Sequence, residues 1–224
     1  MRLVLQVLLI LTLSSSSFGQ NDDYMLWTKI GAKGQISDKM SWAGELNTRI
    51  GGFGVETFFP QFGVEYKPLK WLRPSIEYRF IVDRNKYGNY KASNRLNFNV
   101  NFKKDVSKLS IGFRLRYQYA FNSFSRPEYN PDFDVAFRFK PSVEYKIDNS
   151  IFTPFAAVEF FYDPTYSPIG PDFSKFRLGL GTKVNLKGPN TLSIKYQLDN
   201  KFHDFEDQIR HVIALSYSYK IKGK

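Results

Sequence analysis

Residues 96–119, LNFNVNFKKDVSKLSIGFRLRYQY, alternate apolar and polar side chains on both sides of the polar break KKDVSK. Leu96, Phe98, Val100 and Phe102 take every second place, and after the break Leu109, Ile111, Phe113, Leu115, Tyr117 and Tyr119 resume the beat. A period of two sends successive side chains to opposite faces of a strand, so the segment reads as a hairpin with one greasy and one wet face. The pattern recurs near 25–36, 40–50, 57–67, 71–82, 94–104, 108–120, 132–146, 150–162, 174–187, 191–199 and 209–221. No helical period of useful length accompanies it.

Connections at 37–39, 67–70, 103–108, 146–150 and 187–190 are short, and those at 83–93, 120–132, 163–174 and 199–208 are longer and rich in Pro, Asn, Asp and Tyr. Short turns at one end and longer loops at the other describe an up-and-down antiparallel meander. Across the segments the apolar phase carries no Asp, Glu, Lys or Arg. The opposite phase carries Glu45, Arg49, Glu65, Arg73, Glu77, Arg79, Arg95, Arg114, Arg116, Arg138, Lys140, Glu144, Arg177, Lys183 and Lys195.

Two architectures give such a separation. A soluble sandwich or ligand-binding barrel turns the apolar face inward, whereas a transmembrane barrel turns it to lipid and lines its interior with the charges. Roughly fifty apolar side chains, many of the 22 Phe and 14 Tyr among them, overfill a closed barrel of about ten strands. A two-sheet sandwich has room for them and stands as the alternative. Segments of about ten residues or more suit a tilted crossing of a bilayer and exceed the soluble mode of about five or six. Trp42, Tyr66, Trp71 and Tyr145 beside short turns, with Tyr217 and Tyr219 near the end, are placed as an interfacial girdle. The expectation is an all-β, transmembrane, antiparallel up-and-down barrel of 10–12 strands, with an even count, ten or twelve, as bacterial single-chain barrels usually have.

The start MRLVLQVLLILTLSSSSFGQ combines Arg2, the apolar run Leu3 to Leu13 and a small-x-small site at Ser17-Phe18-Gly19, the pattern of a secretory signal peptide over 1–19 with the barrel over 20–224. The chain has no cysteine, which excludes disulfides, thiol zinc sites and a cysteine nucleophile. Its net charge is +11, but the basic residues are spread along strands without a clustered patch or stacking motif, so no nucleic-acid partner is expected.

The stretches YMLWTKIG, FGVEYKPLKWLRPSIEYRF, FRLRYQY and HVIALSYSYKIK resemble an uncharacterised family of Gram-negative outer-membrane β-barrels, catalogued as a domain of unknown function. The similarity extends over essentially the whole mature chain. It implies a small barrel in the outer membrane of a Gram-negative bacterium, with no established activity and no functional residues to carry across. The partners expected there are outer-membrane lipid and lipopolysaccharide, whose phosphates Arg84, Lys86, Lys91 and Arg126 could pair near the outer rim, and the barrel-insertion machinery during assembly.

The chemistry narrows to three readings. A basic interior would favour passive passage of small polar or anionic solutes by Coulomb focusing. Arg–Glu ladders filling the same interior would instead leave a non-conducting structural or loop-presenting protein. A hydrolase would need His203, in the acidic loop with Asp204, Glu206 and Asp207, or His211, which reads as an interface residue at the start of the last strand. That loop lacks the ligand spacing of a recognised calcium site. No catalytic residue, metal or cofactor is expected.

Overall fold

The computed structural model describes residues 22–85, 87–122, 135–164, 170–202 and 209–221. The expected signal peptide, Lys86, Arg126, His203, Asp204, Glu206 and Asp207 lie outside the described residues. Eleven strands form one closed barrel: β1 (Asp23–Gln35), β2 (Met40–Gly51), β3 (Gly54–Tyr66), β4 (Leu72–Arg84), β5 (Tyr90–Val106), β6 (Leu109–Asn122), β7 (Val135–Tyr145), β8 (Phe152–Asp163), β9 (Asp172–Asn185), β10 (Asn190–Lys201) and β11 (Ile209–Lys220). The sandwich is thereby excluded.

Every neighbouring pair is antiparallel except the seam, where β1 and β11 run parallel from Asp23 opposite Arg210 to Lys33 opposite Lys220. An even count gives way to eleven because all the alternating segments become wall strands. In an up-and-down meander an odd count sends the first and last strands the same way, and closure then needs a parallel ladder. The break between the second and third segments is tighter than their spacing suggests. Gly51 pairs with Gly54, which has φ of 88°, so β3 begins three residues earlier than its alternation. A bulge between Arg49 and Ile50 absorbs the register shift.

Solvent exposure decides which face is which. Ile30, Leu46, Phe62, Ile76 and Leu180 stand on the outer wall, each more than half exposed. Asn97, Gln197, Glu159 and Arg116, on the opposite phase, are 0, 1, 2 and 3% exposed. This is the reverse of a water-soluble fold, where large apolar side chains are hidden and charges face out. With strands about 4.8 Å apart and tilted by about 40°, eleven of them enclose a backbone cylinder of roughly 11 Å radius. Long side chains from facing walls can meet across such a width.

On the outer wall, aromatic rings run from strand to strand. Trp42 stacks on Phe62 at 6.2 Å, Trp71 on Phe102 at 6.0 Å, and Phe98, Tyr117 and Phe137 follow one another at 6.1 and 5.3 Å. The girdle residues Trp42, Tyr66, Trp71, Tyr145, Tyr217 and Tyr219 all sit toward the short-turn end. A second set of exposed aromatics, including Tyr24, Phe53 and Tyr90, sits at the opposite end.

Candidate functional site in the barrel interior

The interior phase is fixed by register. Arg79 lies opposite Arg95, Glu77 opposite Asn97, Asn99 opposite Arg116, Arg116 opposite Arg138 and Glu159 opposite Arg177. Several of the resulting ion pairs skip a strand. Arg116 on β6 donates from Nη2 to Glu77 Oε2 on β4 at 2.8 Å, over β5, and Arg114 on β6 donates to Glu159 Oε1 on β8 at 2.6 Å, over β7. Only side chains on the concave face can reach each other that way.

Three carboxylates organise the middle of the barrel. Glu159 accepts from Arg114, from Arg138 Nε at 2.9 Å, and lies 3.7 Å from Arg177. Asp199 takes a two-pronged bond from Arg177, with Nε and Nη2 each at 2.7 Å, and a third from Gln197 Nε2 at 2.8 Å. Glu77 holds Arg116 and, at 3.4 Å, Asn97. The planar guanidinium fork suits such shared, dry carboxylates better than an ammonium does. Isolated charges would be prohibitively costly at this depth, so each carboxylate is paired and hydrogen-bonded.

Toward the long-loop end, inward cations rest on inward aromatic faces. Arg49 lies 4.2 Å from the Trp27 ring, Arg138 4.3 Å and Lys175 4.6 Å from Phe161, and Arg79 5.0 Å from Phe59. Arg177, on β9, also reaches within 5.0 Å of Trp27 on β1, across the positions of β10 and β11. Met25, Val212 and Ala214 pack with Trp27 along the seam. These inward apolar residues depart from the all-polar interior that alternation suggests. The sequence signal for them is the adjacent pairs Phe58-Phe59 and Phe160-Phe161 and the run Met25-Leu26-Trp27, where apolar residues occupy both phases at once. Together the ion pairs and the cation–π contacts form a septum, in which Arg116, Arg138, Glu159, Gln197 and Asp199 are buried.

Toward the short turns the packing loosens. Glu45 pairs with Lys29 at 3.1 Å, and Glu144 pairs with Lys183 and, at 3.5 Å, with Lys103; these groups are 23–37% exposed. Glu65 and Arg73 share this half, Glu65 beside Ser41 and Arg73 beside Asn101. Lys140, Glu144, Lys183 and Lys195 border a cavity of about 210 Å³, closed above by Glu159, Arg177 and Gln197.

His211 is on the outer wall at the long-loop end. Its ring stacks on Tyr24 at 5.0 Å, its Nδ1 is 2.6 Å from the Tyr196 hydroxyl, and its Nε2 is 3.7 Å from Asp22. It thus ties β1, β10 and β11 together across the parallel seam. Among the described residues no group of three His, Cys, Asp or Glu side chains is arranged to hold a metal ion.

No curated protein matches the chain. Residues 25–210, from the seam-lining start of β1 to the first turn of the ladder in β11, match the model of the family described as "Protein of unknown function (DUF2490)", and the chain belongs to that family.

Proposed function

We propose that this barrel resides in the outer membrane of a Gram-negative bacterium and does not conduct solutes, acting as a structural or loop-presenting membrane protein. The outer wall supports the membrane placement: contiguous exposed Phe, Leu and Ile, bounded by aromatic residues at both ends, need an apolar solvent. Strands of 11 to 17 residues are long enough to cross it at a tilt. The expected neighbours are therefore lipid and lipopolysaccharide, with barrel-insertion machinery acting during assembly.

The single observation that carries the non-conducting reading is the septum. Side chains lining a water-filled channel would be wet, yet Arg116, Arg138, Glu159, Gln197 and Asp199 are 7% exposed or less. Folded protein reconstituted in planar bilayers should give no discrete single-channel steps. Reproducible steps with anion preference at low salt would overturn this reading in favour of anion passage. Stable monomeric folding in buffer without detergent would overturn the membrane placement itself.

A further inference from the structure

The cavity below the septum is built into the wall. Gly112, Ser142, Ala157 and Gly179 stand side by side on β6, β7, β8 and β9, each paired with the next in register. Four small residues in one row leave the space that Arg114, Lys140, Glu159 and Arg177 occupy in the row above, and the last three of them line the cavity. The exposure gradient gives its direction. The Glu159 side chain, where the septum closes the cavity, is 3% exposed, whereas those of Lys183 and Glu144 near the short turns are 36 and 23% exposed, so the vestibule opens toward the short-turn end.

Its charges do not balance. The lining contains Lys140, Arg177, Lys183 and Lys195 against Glu144 and Glu159. Arg177 is committed to Asp199, and Lys183 to Glu144. The Lys195 ammonium bonds only the neutral Gln197 carboxamide, and among the described residues Lys140 Nζ makes no hydrogen bond or ion pair. Two ammonium groups with no carboxylate at ion-pair distance thus border one small cavity, with the Ser142 hydroxyl on the same wall. Ammonium donors in a partly dry recess attract an anion with several acceptor oxygens more strongly than they would in water.

We propose that this vestibule is a binding site for a small tetrahedral oxyanion, phosphate or a phosphomonoester, which enters from the short-turn end and is held by Lys140 and Lys195. A volume of about 210 Å³ exceeds what a single halide needs and admits a phosphate with its remaining waters. Lipid phosphates are excluded as the source, because the acyl chains face the opposite side of the wall. The inference rests on the closed-septum reading only for the dead-end character of the site. Its test reads equilibrium binding, so it can fail while the barrel proves non-conducting, and can succeed if the barrel conducts.

The test is calorimetric titration of the full barrel, refolded in a maltoside detergent and a buffer free of phosphate and chloride, with inorganic phosphate. Saturable binding is expected. Lys140→Met and Lys195→Gln should each weaken it by about tenfold or more, the size of one lost charge-assisted hydrogen bond. Ala157→Leu, which fills the recess without touching a charge, should abolish it, and keeps the test decisive if a lysine variant fails to refold. Absence of saturable heat, equal affinity in the folded Lys140→Met and Ala157→Leu variants, or displacement by equimolar chloride would each overturn the assignment.

Discussion

The septum and the vestibule are built from the same charge types yet solve different problems. In the septum the Glu159 side chain is 3% exposed and its partners are three arginines; in the vestibule the Glu144 side chain is 23% exposed and its partners are two lysines. A guanidinium is weakly hydrated and offers forked donors, so it gives up water readily and can share one carboxylate with its neighbours. An ammonium holds its water tightly and stays where water remains. Around Glu159 and Glu144 the choice between Arg and Lys therefore follows how dry the level is, with Lys175, 15% exposed against Phe161, as an ammonium kept at septum depth. Arg114 and Arg116 lie deeper than Lys103 and Lys183, although all four belong to one polar phase of the wall.

Breaking the septum should give the largest effect. Glu159→Gln removes the carboxylate that Arg114 and Arg138 share and that Arg177 approaches, leaving buried guanidiniums without their counter-charge. The expected loss is roughly 3–5 kcal/mol of stability, read by urea unfolding of the detergent-folded barrel. A loss below about 1 kcal/mol would mean that water already reaches this level, and the dry-septum description would not survive it.

Much of this architecture is legible in the sequence, for a simple reason. Period-two alternation is a local property, so the wall strands and the two faces follow from neighbours a few residues apart. Strand parity does not follow, because it depends on whether Gly51 to Gly54 form a turn or a bend, and the glycines permit either. The Arg–Glu pairings are equally hidden. Glu159 meets Arg114 across 45 residues of chain, and only the register of β6, β7 and β8 brings them together. The vestibule is harder still, since its signature is the absence of side chains. Gly112, Ser142, Ala157 and Gly179 are unremarkable singly and become a row only when four strands are aligned.

Two glycines on β9 sharpen the difference between a structural and a spacious position. At Gly181 an added Cβ would lie 2.4 Å from the Ile194 carbonyl oxygen and 2.8 Å from Phe155 Cζ, so the Phe155 ring covers the bare backbone opposite it. At Gly179 the nearest atom is Lys195 Cδ at 3.2 Å, the middle of a side chain that can swing away. Gly181→Ala should therefore cost about 1–3 kcal/mol by forcing the strands apart. Gly179→Ala should be neutral or mildly stabilising, by up to about 1 kcal/mol, through a stiffer unfolded chain. Equal costs at the two positions in the same urea titration would show that the vestibule wall is as tightly packed as the strand contact below it.

The smallest effect is expected at the vestibule mouth. Glu144→Gln removes the anion that Lys183 and Lys103 flank, but water is close enough to solvate both ammoniums once it is gone. The pair belongs with partly exposed ion pairs, worth about 0–1 kcal/mol and weakened by salt. The stability difference between wild type and Glu144→Gln should thus shrink as sodium chloride rises from 0.05 to about 0.5 M, where the screening length falls to a few ångströms. The difference for Glu159→Gln should hardly move over the same range, because counter-ions cannot enter the septum. If both differences fell together, salt would be reaching the two layers alike, and the contrast between Arg-rich dry and Lys-rich wet levels would describe composition without describing solvation.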